Sequence, residues 1–151
     1  MADFIVDMNI PTKVSSVGYP SYFFDDMNKS KKHHVFYGGT SYLKELARKE
    51  SLQRLLRDWV TQKKASRVDA TAVDEFESRL KARILEKCGE CPSQCDDLHI
   101  LALSAVTTCR NILSNDDRMA ACRDKIRNLV GHDYCPDVKL IKTEAVYKAI
   151  L

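Results

Sequence analysis

Apolar positions in this chain form short strand-like runs that alternate with longer helical stripes. The clearest stripe predicts a buried helix face, because its residues recur at the spacing of an α-helix: Leu52, Leu55, Leu56, Trp59 and Val60. Short runs rich in β-branched and aromatic side chains predict strands at residues 3–7, 35–37, 67–69, 111–113 and 137–141. Strands that alternate with helices predict an α/β fold, with a parallel central sheet of about four to five short strands flanked by helices.

The helical segments differ in how much of their surface is apolar. Residues 97–107 are apolar on nearly every side, which predicts a helix buried against the sheet. Thr71 followed by Asp74 predicts the N-terminal cap of a long helix that ends near Lys87. Further helices are predicted over residues 19–28, from residue 40, and over 116–129, with a final helix or edge segment over 144–151.

Composition narrows the class of protein. The chain has 151 residues, of which 44% are hydrophobic and 30% charged, so we expect a single globular domain over residues 1–151. No run approaches the roughly 20 apolar residues that cross a bilayer, so no membrane partner is expected. The first residues lack a basic-then-apolar signal pattern, which favours a cytoplasmic location.

The chain contains six cysteines. Without a secretion signal, reduced thiols are expected. Cys88, Cys91 and Cys95 have ligand-like spacing, but a structural zinc site needs four ligands, and the nearest histidine, His99, falls inside the apolar helix. A reduced cysteine-rich loop is therefore favoured over a zinc site, and His99 is expected to be a hydrogen-bonded core residue.

Positive charge is concentrated in two segments although the net charge is only +3. One is the cluster formed by Lys29, Lys31, Lys32, His33 and His34. The other spans residues 44–67 and contains Lys44, Arg48, Lys49, Arg54, Arg57, Lys63, Lys64 and Arg67. Either segment could contact a phosphate backbone, and either could equally be a solvated surface.

Two apolar runs that are far apart in the sequence both end in aspartate. Asp7 follows the first run, and Asp116-Asp117 follows the run over residues 111–113. A third acidic doublet, Asp96-Asp97, opens the buried helix, where it also suits the helix dipole. Ligands of open α/β sheets bind at the carboxyl ends of the strands, so these acids can converge there and hold a cation such as Mg²⁺.

Four stretches, in this order and spacing, resemble the acidic motifs of PIN-domain ribonucleases: residues 5–9 (Ile-Val-Asp-Met-Asn), 42–46 (Tyr-Leu-Lys-Glu-Leu), 96–103 (Asp-Asp-Leu-His-Ile-Leu-Ala-Leu) and 112–116 (Ile-Leu-Ser-Asn-Asp). The resemblance spans residues 4–119 and implies a PIN-like three-layer sandwich. The chain departs from the family at Met8, where threonine is usual, and at Ser114, which keeps the hydroxyl of the usual threonine.

The resemblance implies that four acids form a catalytic and metal-binding centre: Asp7, Glu45, Asp97 and Asp116. The register stays open within the two doublets, since Asp96 or Asp117 could replace its neighbour, although Asp97 and Asp116 fit the motif spacing better. Glu45 also has a plain alternative as a solvent-facing partner of Lys49.

The implied activity is Mg²⁺- or Mn²⁺-dependent cleavage of RNA, usually single-stranded. Small members of the family resemble the toxin half of bacterial toxin-antitoxin pairs, so an antitoxin protein and a homodimer are expected partners. Residues expected to contact substrate are Asn9, Ser114, Lys44, Arg48 and Arg118, and Tyr19, Tyr22 or Tyr37 could stack on bases.

Two other functional classes remain open on the sequence alone. A non-catalytic module of the same shape could bind RNA or protein through the basic surface. A phosphatase could use Asp7 as its nucleophile, although Asn9 stands where that chemistry usually has a second acid.

Overall fold

Five parallel strands form the central sheet of the computed structural model, which describes residues 2–29 and 32–151. The strands are β1 (Ala2–Val6), β2 (His33–Gly38), β3 (Ala65–Val68), β4 (Asn111–Leu113) and β5 (Lys139–Ile141). Their order across the sheet is β3-β2-β1-β4-β5, and every neighbouring pair is parallel. The predicted α/β fold with a parallel sheet is confirmed.

Seven helices in the described residues flank the sheet. They are α1 (Ser21–Lys29), α2 (Thr40–Leu46), α3 (Glu50–Thr61), α4 (Ala70–Cys88), α5 (Leu98–Thr107), α6 (Asp117–Val130) and α7 (Glu144–Ile150). The final segment is thus a helix. α5 is the buried helix that its apolar sequence predicts, since all residues from Leu98 to Ser104 are buried.

The helices pack on the two faces of the sheet. On one face, Trp59 of α3 meets two rings of α1, Phe23 edge-on and Phe24 in a stack, with centroids 6.4 and 5.9 Å away. Tyr147 of α7 lies 6.0 Å from Phe23 on the same face. Right-handed crossovers in a sheet of this order place α4, α5 and α6 on the opposite face, where α4 contacts both of the others.

The strand order reverses direction between β1 and β4. These two strands pair with Val6 opposite Leu113, and the ladder extends one step further, because the amide of Asp7 donates to the carbonyl of Leu113 at 2.9 Å. Open α/β sheets bind ligands at such a switch point, beyond the carboxyl ends of the strands. The acids that follow β1 and β4 both lie at this point.

Two glycines connect β2 to α2. A side chain at Gly38 would meet the carbonyl oxygen of Val68 at 2.7 Å, and one at Gly39 would meet Cγ1 of Val73 at 2.7 Å. Both glycines also have positive φ angles, which other residues rarely adopt. α2 therefore begins in a tight passage between β3 and α4.

The cap predicted for α4 is wrong. The N-cap is Asp69, whose carboxylate accepts from the amide of Thr71 at 3.1 Å. Asp74 instead accepts from the amide of Thr40 at 2.9 Å and from the Thr40 hydroxyl. Its carboxylate is used to satisfy the first turn of α2, which has no side-chain cap of its own.

The expectation of a fully reduced cysteine loop is also wrong. Cys95 forms a disulfide with Cys122 of α6, while Cys88 and Cys91 are free and exposed. Because Cys95 is part of this bond, only Cys88 and Cys91 of the three cysteines are free to bind zinc. Within residues 2–29 and 32–151, no helix is both long and apolar enough to cross a membrane.

Candidate active site

Asp7 lies at the carboxyl end of β1 with only 2% of its surface exposed. One carboxylate oxygen accepts from the Ser114 hydroxyl at 2.8 Å, and the other accepts from the amide of Met8 at 2.7 Å. Burial raises the pKa of Asp7 to about 6, the Ser114 hydrogen bond opposes that rise, and the charge of Asp97 adds to it. Asp7 is thus a buried acid that is close to its titration point near neutral pH.

The segment after β4 ties Asp116 to Asp7. The Ser114 hydroxyl that donates to Asp7 also accepts from the amide of Asp116 at 3.1 Å. The amide of Asn115 donates to the side-chain oxygen of Asn9 at 3.1 Å. Ser114 and Asn9, predicted as substrate contacts, are therefore seen bridging the loops after β1 and β4.

Asp116 and Asp117 have different surroundings. Asp116 is the N-cap of α6 and accepts from the amide of Arg118 at 2.9 Å, and its charge raises the pKa of Asp7. Asp117 is 93% exposed and pairs with Lys142. The structure therefore places Asp116, rather than Asp117, beside Asp7.

Asp97 and Glu45 approach from the helices above the sheet. Asp97 is the N-cap residue of α5 but makes no capping hydrogen bond with its side chain, so its carboxylate is left for other contacts. Burial raises the pKa of both Asp97 and Glu45, and the charges of Asp97 and Asp7 raise the pKa of Glu45 further. Asp96 pairs with Arg118 at 2.9 Å, and its charge also raises the pKa of Asp97.

Electrostatic effects connect each of the four predicted acids to at least two of the others. The charge of Asp97 raises the pKa of both Asp7 and Glu45, that of Asp7 raises the pKa of Glu45, and that of Asp116 raises the pKa of Asp97. The nearest basic group differs from the predicted one. Glu45 lies 3.5 Å from His99, and no ion pair joins it to Lys49 among the described residues.

His99 is the site residue that sequence reasoning missed. It is a core residue, as predicted, with 5% of its surface exposed, but Nε2 has no hydrogen-bond partner. Nε2 points toward Glu45, and donor atoms of Glu45, Asp97 and His99 all lie within 4.8 Å of one another. Burial lowers the pKa of His99, which favours a neutral imidazole with a lone pair. The available signal was a single polar side chain in an otherwise apolar helix.

The predicted basic residues are only partly available to a substrate. Lys44 and Arg48 are exposed, whereas Arg118 is held by Asp96 and Asp116 at 2.9 and 3.6 Å. Lys64 is buried and donates to two carbonyls at the end of α1, at 2.6 and 3.2 Å, so it stabilises that helix end. Lys31 lies outside the described residues.

Two cavities open beside α2. The larger, about 420 Å³, contains Tyr37 from the end of β2 together with the exposed Arg57 and Arg67. The smaller, about 330 Å³, is lined by Glu45, His99 and eight neighbours from α2, α4 and the loop before α5. Of the tyrosines predicted to stack on bases, Tyr37 alone lines one of these two cavities. Tyr19 and Tyr22 pack on rings of the core, Phe24 and Tyr147.

Comparisons with protein-family models, curated proteins and solved structures found no match for the chain. The relation to PIN-domain ribonucleases therefore continues to rest on the four motif stretches. In the structure, Asp7 and Asp116 of these stretches lie together at the β1–β4 switch point.

Proposed function

We propose that the protein is a metal-dependent endoribonuclease whose centre is formed by Asp7, Glu45, Asp97 and Asp116. The observation that carries this proposal is that the Ser114 hydroxyl joins Asp7 to Asp116 at the β1–β4 switch point, while the charge of Asp97 raises the pKa of both Asp7 and Glu45. The four acids are drawn from four separate segments, which no local structural requirement would bring together.

The donor set fits Mg²⁺ or Mn²⁺. Hard divalent cations prefer carboxylate oxygens, and burial, together with the charges of neighbouring acids, raises the pKa of Asp7 and of Glu45, so a cation would stabilise their ionised forms. Bound there, such an ion polarises a phosphate oxygen and lowers the pKa of a water molecule. Asp7, Asp97 and Asp116 would hold it, and Ser114 would keep the Asp7 carboxylate in place.

The cavity of about 420 Å³ between α2 and α3 has features that suit a single-stranded nucleic acid, although none of the four acids lines it. Arg57 and Arg67 can offset phosphate charge, and the half-buried ring of Tyr37 in the same cavity offers a face on which an unpaired base can stack. Lys44 of α2 and Arg48, just beyond its end, are exposed basic residues close to Glu45 in the sequence. The choice of RNA over DNA comes from the family resemblance.

The test compares two neighbouring aspartates. We expect Asp97→Asn to reduce Mg²⁺- or Mn²⁺-dependent cleavage of a fluorescent single-stranded RNA by at least about 100-fold, because the ion loses a central ligand. Asp96→Asn tests the other register of the doublet and should retain cleavage within about threefold if Asp97 is the ligand, and Asp133→Asn, at an exposed residue of the loop after α6, is the control.

Two outcomes would contradict the proposal. One is cleavage by Asp97→Asn at the parental rate. The other is a parent protein that binds RNA but never cuts it with either metal, which would support the non-catalytic module instead. A cytoplasmic location, an antitoxin protein and a homodimer remain proposals that follow from the resemblance.

A further inference from the structure

The acidic centre contains a nitrogen donor as well as oxygens. His99 lies in the first turn of α5, two residues after Asp97, and its ring is 95% buried because helix α5 is enclosed. Nε2 lacks a hydrogen-bond partner although it lies 3.5 Å from Oε1 of Glu45, since that approach does not have hydrogen-bond geometry. A buried polar atom without a partner normally costs about 1–3 kcal/mol, so its retention calls for an explanation.

The spacing of the three donor atoms fits one metal ion. An ion bonded at about 2.1 Å holds two donors about 3.0 Å apart at a right angle and about 4.2 Å apart when they are opposite. The 3.5 Å between His99 and Glu45 falls within these limits. The three donors lie within 4.8 Å of one another, and Glu45 is 41% exposed, so its side chain is free to make the remaining adjustment.

The position also leaves an entry route. Glu45 and His99 both line the cavity of about 330 Å³ between α2 and α4. An ion and its water molecules can therefore reach Glu45 and His99 from solvent, and a donor atom of Asp97 lies within 4.8 Å of theirs. Glu77 in the same cavity is engaged by Ser41 at 3.2 Å and by Lys81 at 3.8 Å, so it does not compete for the ion.

We propose that His99 is a metal ligand, and that with Glu45 and Asp97 it makes a mixed nitrogen and oxygen site that selects a first-row transition ion over Mg²⁺. Mg²⁺ prefers six oxygens and sheds water reluctantly, whereas an imidazole nitrogen suits ions such as Mn²⁺ and Zn²⁺. The opposite end of the centre, Asp7 and Asp116, offers oxygen donors only. This inference rests on the proposed function for the use of the ion, but not for its binding.

The experiment measures metal binding directly. We expect isothermal titration to show that the parent binds Mn²⁺ at least about tenfold more tightly than Mg²⁺, and that His99→Gln removes most of this difference by weakening Mn²⁺ alone. His132→Gln is the matched control, because His132 is an exposed histidine on the loop after α6 and should not alter either affinity.

A second measurement does not depend on how His99→Gln folds. Pulsed electron paramagnetic resonance of Mn²⁺ bound to the parent should show coupling to an imidazole nitrogen, and the coupling should persist in His132→Gln. If the spectrum contains no nitrogen coupling, or if Mn²⁺ affinity is the same in parent and folded His99→Gln, then His99 is only a buried neighbour of Glu45 and the inference is overturned.

The two proposals fail in different ways. Nitrogen coupling in a protein that never cuts RNA would leave the His99 site standing and remove the nuclease function. Loss of cleavage in Asp97→Asn without nitrogen coupling in the parent would leave the nuclease standing and remove His99 from the ligand set.

Discussion

The surroundings of Asp7 disfavour the ionised form of its carboxyl group. Burial and the charge of Asp97 raise its pKa, while hydrogen bonds from Ser114 and Met8 stabilise the ionised form. The hydrogen bonds fix the orientation of the carboxylate without removing its excess free energy. A bound cation would remove that excess, which couples metal binding to stability.

This coupling predicts a stabilising substitution at Asp7. The folded-state pKa of about 6 lies above the ordinary value of 3.8, so ionisation of Asp7 opposes folding once the pH exceeds about 4, and the full penalty is present above about pH 6. We expect Asp7→Asn in chelator-treated protein to raise the free energy of unfolding at pH 7 by roughly 1–3 kcal/mol, measured by urea denaturation.

Most of this gain should disappear near pH 4, where Asp7 is protonated in the folded state and the unfolded state is only partly ionised. Asp25→Asn is the control, since Asp25 is an exposed residue of α1 and its substitution should leave the free energy of unfolding almost unchanged at both pH values. A gain at Asp7 that is equal at pH 4 and pH 7 would show that ionisation is not its cause.

The sequence could predict where a motif residue would lie, but not the contacts that a residue makes with its tertiary neighbours. Asp97 and Asp116 could be preferred to their doublet partners by spacing alone. The orphaned nitrogen of His99 and the bonds of Lys64 to the end of α1 depend on contacts that no local pattern records.

Among the secondary-structure elements, α2 depends most on its surroundings. It has seven residues, too few to be stable alone, yet it carries Glu45. Its start is fixed by the glycine passage after β2 and by the Asp74 carboxylate that accepts from Thr40. The position of Glu45 is therefore set by α4 and β3 as much as by α2.

A substitution in this passage should damage the fold more than one at a glycine with free space. We expect Gly39→Ala to lower the free energy of unfolding by about 2–4 kcal/mol, because the new methyl group adds a contact of 2.7 Å with Val73 to the cost of a positive φ. Gly89→Ala is the matched control.

Gly89 also has a positive φ, of 77°, but nothing lies within 4 Å of an added methyl group. Gly89→Ala should lower the free energy of unfolding by only about 1–2 kcal/mol, measured by the same urea denaturation. Equal losses at Gly39 and Gly89 would show that the Val73 contact is relieved easily and does not hold α2 in place.

The order and type of the elements followed from apolar periodicity, because buried faces must repeat at the helix or strand period. The residues at which each helix or strand begins and ends did not follow from this periodicity. Thr71 and Asp74 have the composition of a cap, but the competing amide of Thr40 lies nearby in space and takes the Asp74 carboxylate. The sheet order is likewise set by contacts between segments that are distant in the chain.

At the scale of the whole molecule, one covalent bond links two parts of the candidate centre. The Cys95–Cys122 disulfide joins the loop that precedes Asp97 to α6, whose N-cap is Asp116. It closes a loop with a sequence separation of 27 residues. Such a crosslink restricts the unfolded chain and stabilises the fold by about 3 kcal/mol in the chain-entropy account.

We therefore expect a Cys95→Ala/Cys122→Ala protein to unfold at a lower temperature than the parent under non-reducing conditions. Reductant should lower the melting temperature of the parent and leave that of the double variant unchanged. Cys88→Ser is the control, because Cys88 is free and exposed and its loss should not alter the response. If reductant does not change the melting temperature of the parent, the disulfide does not stabilise the fold.

Ser114 and Asp7 are 107 residues apart in the sequence, and their hydrogen bond joins the first strand to the fourth. A chain in which β1, β2 and β3 have formed but β4 has not would have neither Ser114 nor Asp116 beside Asp7. This end of the candidate centre can therefore form only when β4 pairs with β1.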